Sequence, residues 1–387
     1  MKVNKRTSAV TFSATLALDT RAKQMIASGI DVINMAVGQP DFPAPISVQE
    51  AAIAKIASGQ VGYTPVAGTP GLRQAAADFM TRTRGIPFEP EQISVCHSTK
   101  HALAAVLMTL VEPGDEVLLF EPVWNSYEEL VRFAGGVPVG VPPRADCGPD
   151  FDAMREKIGP RTRGMMLNSP SNPSGYVWTE EEIREVSSPA NEHDMWILSD
   201  EIYQRLVYEG PPSFSPAAVD AETRARTVIA DGASKCFAMT GYRIGFIAAP
   251  TEIASAVARQ NSQVTGCPNA ISQAGLEAAL RDEPPEVEAM VAEFAARRTL
   301  IIDGLRALGL TVPQPRGAFY AFPDVSQYLD DRGSAGFCAD LLETEALAIV
   351  PGAVFGLDTH VRFSYATSRE LILAALERFG RFLATRS

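Results

Sequence analysis

Short apolar runs alternate with amphipathic stretches along the chain from about Ile46 to Val264. Seven runs have the length and make-up of buried strands: "ISVC" (93–96), "EVLLF" (116–120), "VPVGV" (137–141), "RGMMLN" (163–168), "MWILSD" (195–200), "RTVIADG" (226–232) and "RIGFIAA" (243–249). Most of the segments between them carry a helical pattern. In "TPGLRQAAADFMTRT", Thr69 stands at the N-cap and Pro70 at the first helical position, where a missing N–H does no harm. In "TEEEIREVSS", Thr179 and Glu182 have the spacing of a capping box. Such alternation predicts an α/β domain around a largely parallel sheet. Ligands then sit at the carboxyl ends of the strands.

After "RDEPPEVEAM" (281–290) the pattern changes. A long helical stretch, "EVEAMVAEFAARRTLIIDGLRALG", is followed by "GAFYAF", a helix near 334–345, "LAIVPG", "HVRFSYA" and a last helix from about Ser368. This order predicts a smaller α+β domain, with a helix near 14–28 packed against it. The expected boundaries are 46–282 for the large domain, and 1–45 with 283–387 for the small one. No internal repeat is visible.

Composition narrows the function classes. A chain of 387 residues is too long for one compact core, which agrees with two domains. A formal charge of −12 speaks against general binding of nucleic acid or of an anionic membrane. The five cysteines (Cys96, Cys147, Cys236, Cys267, Cys338) form no CxxC pair. They suggest neither a disulfide frame nor a zinc site, and they suit a reducing cytoplasm. The basic N-terminus lacks the apolar run of a signal peptide. No stretch approaches the ~20 apolar residues of a membrane span.

Candidate chemistry gathers at predicted strand ends. "HSTKHAL" (97–103) follows a strand and opens a helix, whose free backbone amides can bind phosphate. His97 and His101 are spaced as two zinc ligands could be, but no third ligand is evident, so no metal is expected. Trp124 follows a proline turn in "EPVWNSYEEL", where an exposed ring could stack on a flat heterocycle. Asn172 lies in "LNSPSNPSGYV" and can donate to a ligand oxygen. Asp200 ends the strand of "LSDEIYQRLVY", with Tyr203 one turn later. It reads equally as an N-cap. Lys235 and Arg243 lie in "DGASKCFAMTGYRIGF", a small and mostly apolar segment where a lysine must be paired or put to chemical use. Singly, each residue has a structural explanation. Together they are the set that holds pyridoxal 5′-phosphate, with the lysine forming a Schiff base and the acid pairing with the ring nitrogen.

With these residues in place, the sequence resembles the class I/II pyridoxal-phosphate aminotransferases of the aspartate aminotransferase family. The resemblance is nearly end to end. It runs through "NMAVGQPDFPAP" (34–45), "GYTPVAGTPGLRQA" (62–75), "EPGDEVLLFEPVWNSY" (112–127), "NSPSNPSGYV", "LSDEIY", "SKCFAMTGYRIGF", "GAFYAF" (317–322) and "VRFSYATS" (361–368). It implies the fold type I of pyridoxal-phosphate enzymes: a large α/β domain with a mostly parallel seven-stranded sheet, plus a smaller α+β domain. It also implies the residue roles. Lys235 would carry the cofactor and act as base and acid. Asp200 would pair with the ring nitrogen, Tyr203 and Asn172 with the phenolic oxygen, and Trp124 would stack on the ring. Ser98, Thr99 and Arg243 would hold the phosphate, joined by Tyr63 across a dimer interface. Arg362 would clamp the substrate carboxylate, with Gly38 offering a backbone amide. A homodimer follows, in which Tyr63 and residues 261–270 serve the neighbouring site.

Two positions depart from the family pattern. Ser98-Thr99 replaces the frequent Gly-Ala or Ser-Ala pair before Lys100. Gly232 stands where a phosphate-binding serine is common, so the phosphate is left to Ser98, Thr99, Arg243 and Tyr63, or Ser234 compensates. The implied activity is transfer of an amino group between an amino acid and a 2-oxo acid. Elimination, decarboxylation and ring closure of the aminocyclopropane-synthase type use the same scaffold and stay open as alternatives. An aminotransferase-like regulator would need a DNA-binding domain ahead of Asn34. A nicotinamide dehydrogenase would need a GxGxxG after the first strand, and none is present. For substrate choice, the expected pocket stretches are Val10 to Thr15, 261–270 and "GAFY". They contain no lysine or arginine before Arg316, which speaks against a dedicated aspartate enzyme.

Overall fold

All seven predicted strands form, and they share one sheet. The structure, a computed structural model, describes residues 1–8, 10–11 and 14–386. The spatial order is Ile93–Cys96, Gly245–Ala248, Thr227–Gly232, Trp196–Asp200, Thr162–Asn168, Glu116–Phe120 and Val137–Val141. Only Gly245–Ala248 runs antiparallel to its neighbours. It is shorter than "RIGFIAA" predicts. Arg243 takes the left-handed conformation, φ 52°, so the chain turns there after a short 3-10 helix (Thr240–Tyr242).

Local chemistry sets the helix starts as expected. Thr69 Oγ1 accepts from the amide of Leu72 at 3.3 Å, and Gly85 ends that helix at φ 70°. Thr179 and Glu182 form the reciprocal capping box, at 3.1 and 2.9 Å. That helix continues through Pro189 to Glu192. A proline near a helix end forfeits one hydrogen bond, and here its ring is buried.

The second region holds a three-stranded antiparallel sheet of Tyr320–Ala321, Val361–Ser364 and Val350–Pro351. A parallel pair, Ile33–Asn34 with Leu347–Ala348, ties the early chain to it. Helices Glu286–Ala307 and Arg369–Ala384 cover this region around a core that includes Phe294, Ile301, Phe319, Phe363 and Phe379. The predicted early helix spans Ala14–Ala27 and packs Ala22 and Met25 against Leu342 and Ala348. Among the described residues, no helix is long and apolar enough to cross a membrane.

Strand register decides where the chemistry meets. Asn168 pairs with Asp200, and Asp200 with Ala230. Gly245 pairs with both Gly232 and Cys96. The segments carrying Ser98, Asn172, Tyr203 and Lys235 therefore all leave the sheet along one edge.

Candidate active site

A cavity of about 370 Å³ opens at that edge. Eleven of the twelve residues proposed from the sequence line it: Gly38, Ser98, Thr99, Trp124, Asn172, Asp200, Tyr203, Ser234, Lys235, Arg243 and Arg362. Tyr63 does not, and its ring stands fully exposed on the surface of its own chain.

Lys235 is deeply placed, and its ammonium donates to the carbonyl of Gly38. The resemblance implied an amide at Gly38. Here its carbonyl is engaged, and its lack of a side chain is also required: a Cβ would lie 2.3 Å from the Tyr320 hydroxyl. Burial pushes the Lys235 amine down to about 8, and the Arg362 and Arg243 cations push the same way. A lysine held near neutrality at ordinary pH is both a nucleophile and a base.

Asp200 is buried with no cation bonded to it among the described residues. Its Oδ2 accepts from the Tyr127 hydroxyl at 2.7 Å, and its Oδ1 from the amide of Ile202 at 3.2 Å. Burial drives its carboxyl up to about 7, against these two hydrogen bonds. A buried carboxyl facing a cavity is a place for a cationic ligand atom. Tyr127 was not picked out from the sequence. Its spacing of three from Trp124 puts both rings on one side of the turn, where they meet edge to face at 5.5 Å. Asn168 was also missed. It donates to the Asp200 carbonyl at 3.0 Å and accepts from the Asn172 amide at 2.9 Å, which fixes the Asn172 loop to the acid. Replacing Tyr127 by Phe removes a hydrogen bond to the carboxylate worth ~1.5–3 kcal/mol. The Asp200 titration should then rise by about one to two pH units, read by infrared absorption of its carboxyl in the cofactor-free protein.

Arg362 is buried in the strand Val361–Ser364. Its Nη1 donates to Asn172 Oδ1 at 2.8 Å and its Nη2 to the Ala36 carbonyl at 2.7 Å. Its Nε has no hydrogen-bond partner among the described residues. A buried guanidinium with a free donor, braced at its far side, can accept a carboxylate at that donor. Its flat face lies 4.5 Å from the Tyr320 ring centroid. Tyr320, another residue not singled out, shares a 2.7 Å hydrogen bond with the Tyr203 hydroxyl.

At the other end of the cavity, helix Thr99–Leu110 begins. Ser98 caps it by accepting from the His101 amide at 3.2 Å, which leaves its hydroxyl proton free to donate. A Cβ at Gly232 would lie 2.5 Å from Thr99 Oγ1, and one at Gly245 would lie 2.5 Å from the Thr99 amide nitrogen. This explains the departure at Gly232: the Thr99 side chain fills the space a serine there would need. Arg243 lines the same end. Together these groups offer the donors and the positive charge that an anion cradle needs.

Lys100 enters the cavity from outside the stretches expected to set specificity. Its ammonium lies 4.6 Å from the Trp124 ring centroid. Burial and the Arg243 cation hold its pKa below the usual lysine value. Arg316 is turned away and donates to the Val177 carbonyl. Residues 261–270 do not line this chain's cavity, and of Val10 to Thr15, Phe12 and Ser13 lie outside the described residues. His97 and His101 meet edge to face at 5.6 Å. Among the described residues no group of three or more His, Cys, Asp or Glu is placed to hold a metal.

Comparison with known proteins places this geometry. Residues 30–379 match the family described as aminotransferase class I and II. The chain is 42% identical over 386 residues to an aspartate/prephenate aminotransferase of Thermus thermophilus, covering 98% of each. It is 39% identical to an aspartate aminotransferase of Geobacillus stearothermophilus, covering all of both. The solved structure of the Thermus thermophilus aspartate aminotransferase with maleate superposes with a TM-score of 0.95, at 40% identity over 99% of this chain and all of that one.

Proposed function

This chain belongs to the class I and II aminotransferases, and from that premise we propose that it moves an amino group between a dicarboxylic L-amino acid and a 2-oxo acid. The observation that carries the reading is the meeting of Lys235, Asp200 and Arg362 in one cavity. The cofactor of the family is pyridoxal 5′-phosphate, and the residues present fit it. A buried carboxyl lacks a cation, a guanidinium lacks a partner at Nε, and two glycines leave room around Thr99.

Asp200 would face the ring nitrogen, Tyr203 and Asn172 the phenolic oxygen, and Trp124 the ring face. Ser98, Thr99, Arg243 and Ser234 would hold the phosphate. When bound, the group supplies an electrophilic carbonyl and an electron-accepting ring. Arg362 orients the donor through its α-carboxylate, so the α-hydrogen points at Lys235. Lys235 Nζ takes that proton, holds it inside the cavity and returns it. Asp200 keeps negative charge where positive charge must persist.

The substrate class rests on Lys100. Beyond Lys235, Arg243 and Arg362 it is a further cation lining the cavity, and it suits a second carboxylate. The relatives named for aspartate and prephenate are consistent with that choice.

Two copies form the working unit in this reading. Ile46, Ile53 and Ile56 are exposed on one stripe of helix Ile46–Ala57, near exposed Val61 and Tyr63. Tyr63 and residues 261–270 would complete the neighbour's site. Replacing Ile53 and Ile56 together by Glu should give a monomer in light scattering with at least ~10-fold lower activity. Residues 46–282 form the large unit, and 1–45 with 283–387 the small one that closes over the donor. All five cysteines are unpaired, which suits the cytoplasm.

The test is the absorbance of the purified protein before and after single amino acids, with no oxo acid present. Aspartate should bleach the visible cofactor band and release an equal amount of the matching 2-oxo acid. Ammonia, carbon dioxide or an olefinic product would assign a lyase instead. A protein that takes up no pyridoxal phosphate would overturn the reading of Lys235.

A further inference from the structure

One charged cluster lies behind the cavity and takes no part in the chemistry above. Arg84, the last residue of helix Pro70–Arg84, is buried. Its Nε donates to Glu201 Oε2 at 2.8 Å and its Nη2 to Asp231 Oδ2 at 2.6 Å. Its Nη1 donates to Thr83 Oγ1 at 2.7 Å. The side chains of all three charged residues are at most 5% exposed. Glu201 also accepts from Ser199 and Ser215, at 3.0 and 2.6 Å.

The Arg84 guanidinium lies 5.8 Å from the ring centroid of Phe79, which belongs to the same apolar core as Phe237 and Ala233. Burying three charges is costly, and packed apolar side chains often stabilise such a place equally well. The position of the cluster offers a reason for it. Glu201 directly follows Asp200. Asp231 precedes Gly232, its Oδ1 accepts from the Gly232 amide at 2.7 Å, and its carbonyl accepts from Thr99 Oγ1 at 3.2 Å. The guanidinium thus joins the strand end bearing the acid to the strand end bearing the anion cradle.

We propose that Arg84 is a positioning residue: by bridging Glu201 and Asp231 it sets the spacing between Asp200 and the Thr99–Gly232 cradle, and it offsets the two carboxylates behind Asp200. The proposal rests on the aminotransferase reading of the cavity. The groups that act on Asp200 are Tyr127 from helix Ser126–Ala134, Glu201 and Tyr203 on its own segment, Asp231 on the adjacent strand, and Lys235. Glu201 and Asp231 both push its carboxyl up, and both are paired with the Arg84 cation. Without Arg84 the ionised form of Asp200 is lost at a higher pH.

The experiment compares wild type with Arg84→Met, Arg84→Lys and Glu201→Gln. In Arg84→Met, the dissociation constant for pyridoxal phosphate, measured by adding it back to the cofactor-free protein, should rise about tenfold or more. The kcat should fall by a similar factor, while KM for the donor stays within about threefold because Arg362 and Lys100 are untouched. The acidic limb of kcat/KM should move up by about one pH unit. Arg84→Lys should recover part of each change. Should Arg84→Met fail to fold, Glu201→Gln decides: it keeps the Arg84–Asp231 bond, removes one negative neighbour of Asp200, and should move the acidic limb to lower pH. A melting temperature lowered with cofactor affinity, kcat and acidic limb unchanged would overturn the proposal. So would an unmoved limb in Glu201→Gln. These outcomes leave the aminotransferase reading intact, whereas a wild type that binds no pyridoxal phosphate overturns both.

Discussion

Replacement of Lys235 by Ala is expected to lower turnover by at least ~10⁴-fold while leaving a folded protein that still binds pyridoxal phosphate without a covalent bond. The size of the loss follows from the double use of one amine. In the proposed reaction Lys235 is both the attachment point and the carrier of the α-proton. Its amine is pushed down to about 8, from the usual 10.5, chiefly by burial. At pH 8 about half of it is neutral, against ~0.3% for an ordinary lysine. Wild-type uptake of pyridoxal phosphate should therefore speed up as pH rises through about 8 and level off above it, as followed by stopped-flow absorbance. An added primary amine of small size should restore part of the lost turnover in Lys235→Ala, because the cavity left behind can admit it. A variant with wild-type turnover would remove Lys235 from the mechanism.

The second large effect is expected at Arg362. Changing it to Gln removes a buried, hydrogen-bonded cation from the substrate carboxylate, a loss of about 2–5 kcal/mol, or roughly 30- to 4,000-fold in kcat/KM. The change should fall on amino acids as a class, and amines without a carboxylate should be spared. Asn172 loses its 2.8 Å partner in the same variant, so kcat should decline along with binding. Steady-state kinetics with an amino acid and its decarboxylated analogue would separate the two. Equal losses for both would show that Arg362 supports the fold of the site and does not clamp the carboxylate.

Much of the frame was legible because its causes are local. Strand runs, the Thr69 and Thr179 caps and the late helices depend on hydrogen bonds and apolar periods within a few residues of each other. Lys235, Asp200 and Arg362 were legible because each stands in a recognisable run. Tyr127 was passed over because its partner, Asp200, is 73 residues away, and no period in the sequence reports a pairing at that range. Lys100 is not legible as a specificity residue because its place in the cavity depends on contacts between distant segments.

The sequence by itself therefore determined the element order, the seven strands, and eleven residues that share one cavity. Tertiary structure alone decided how those residues are tuned. Packing of the smaller sheets against the edge of the seven-stranded one brings Arg362 to Asn172 across 190 residues and Lys235 to Gly38 across 197. Burial at that meeting point, a property of the surroundings and not of the residue, moves the Lys235 amine down and the Asp200 carboxyl up. The glycine at 232 shows the same division. Its identity is plain in the sequence, but what crowds a side chain there, Thr99 Oγ1 and the Gly245 backbone, arrives from other strand ends.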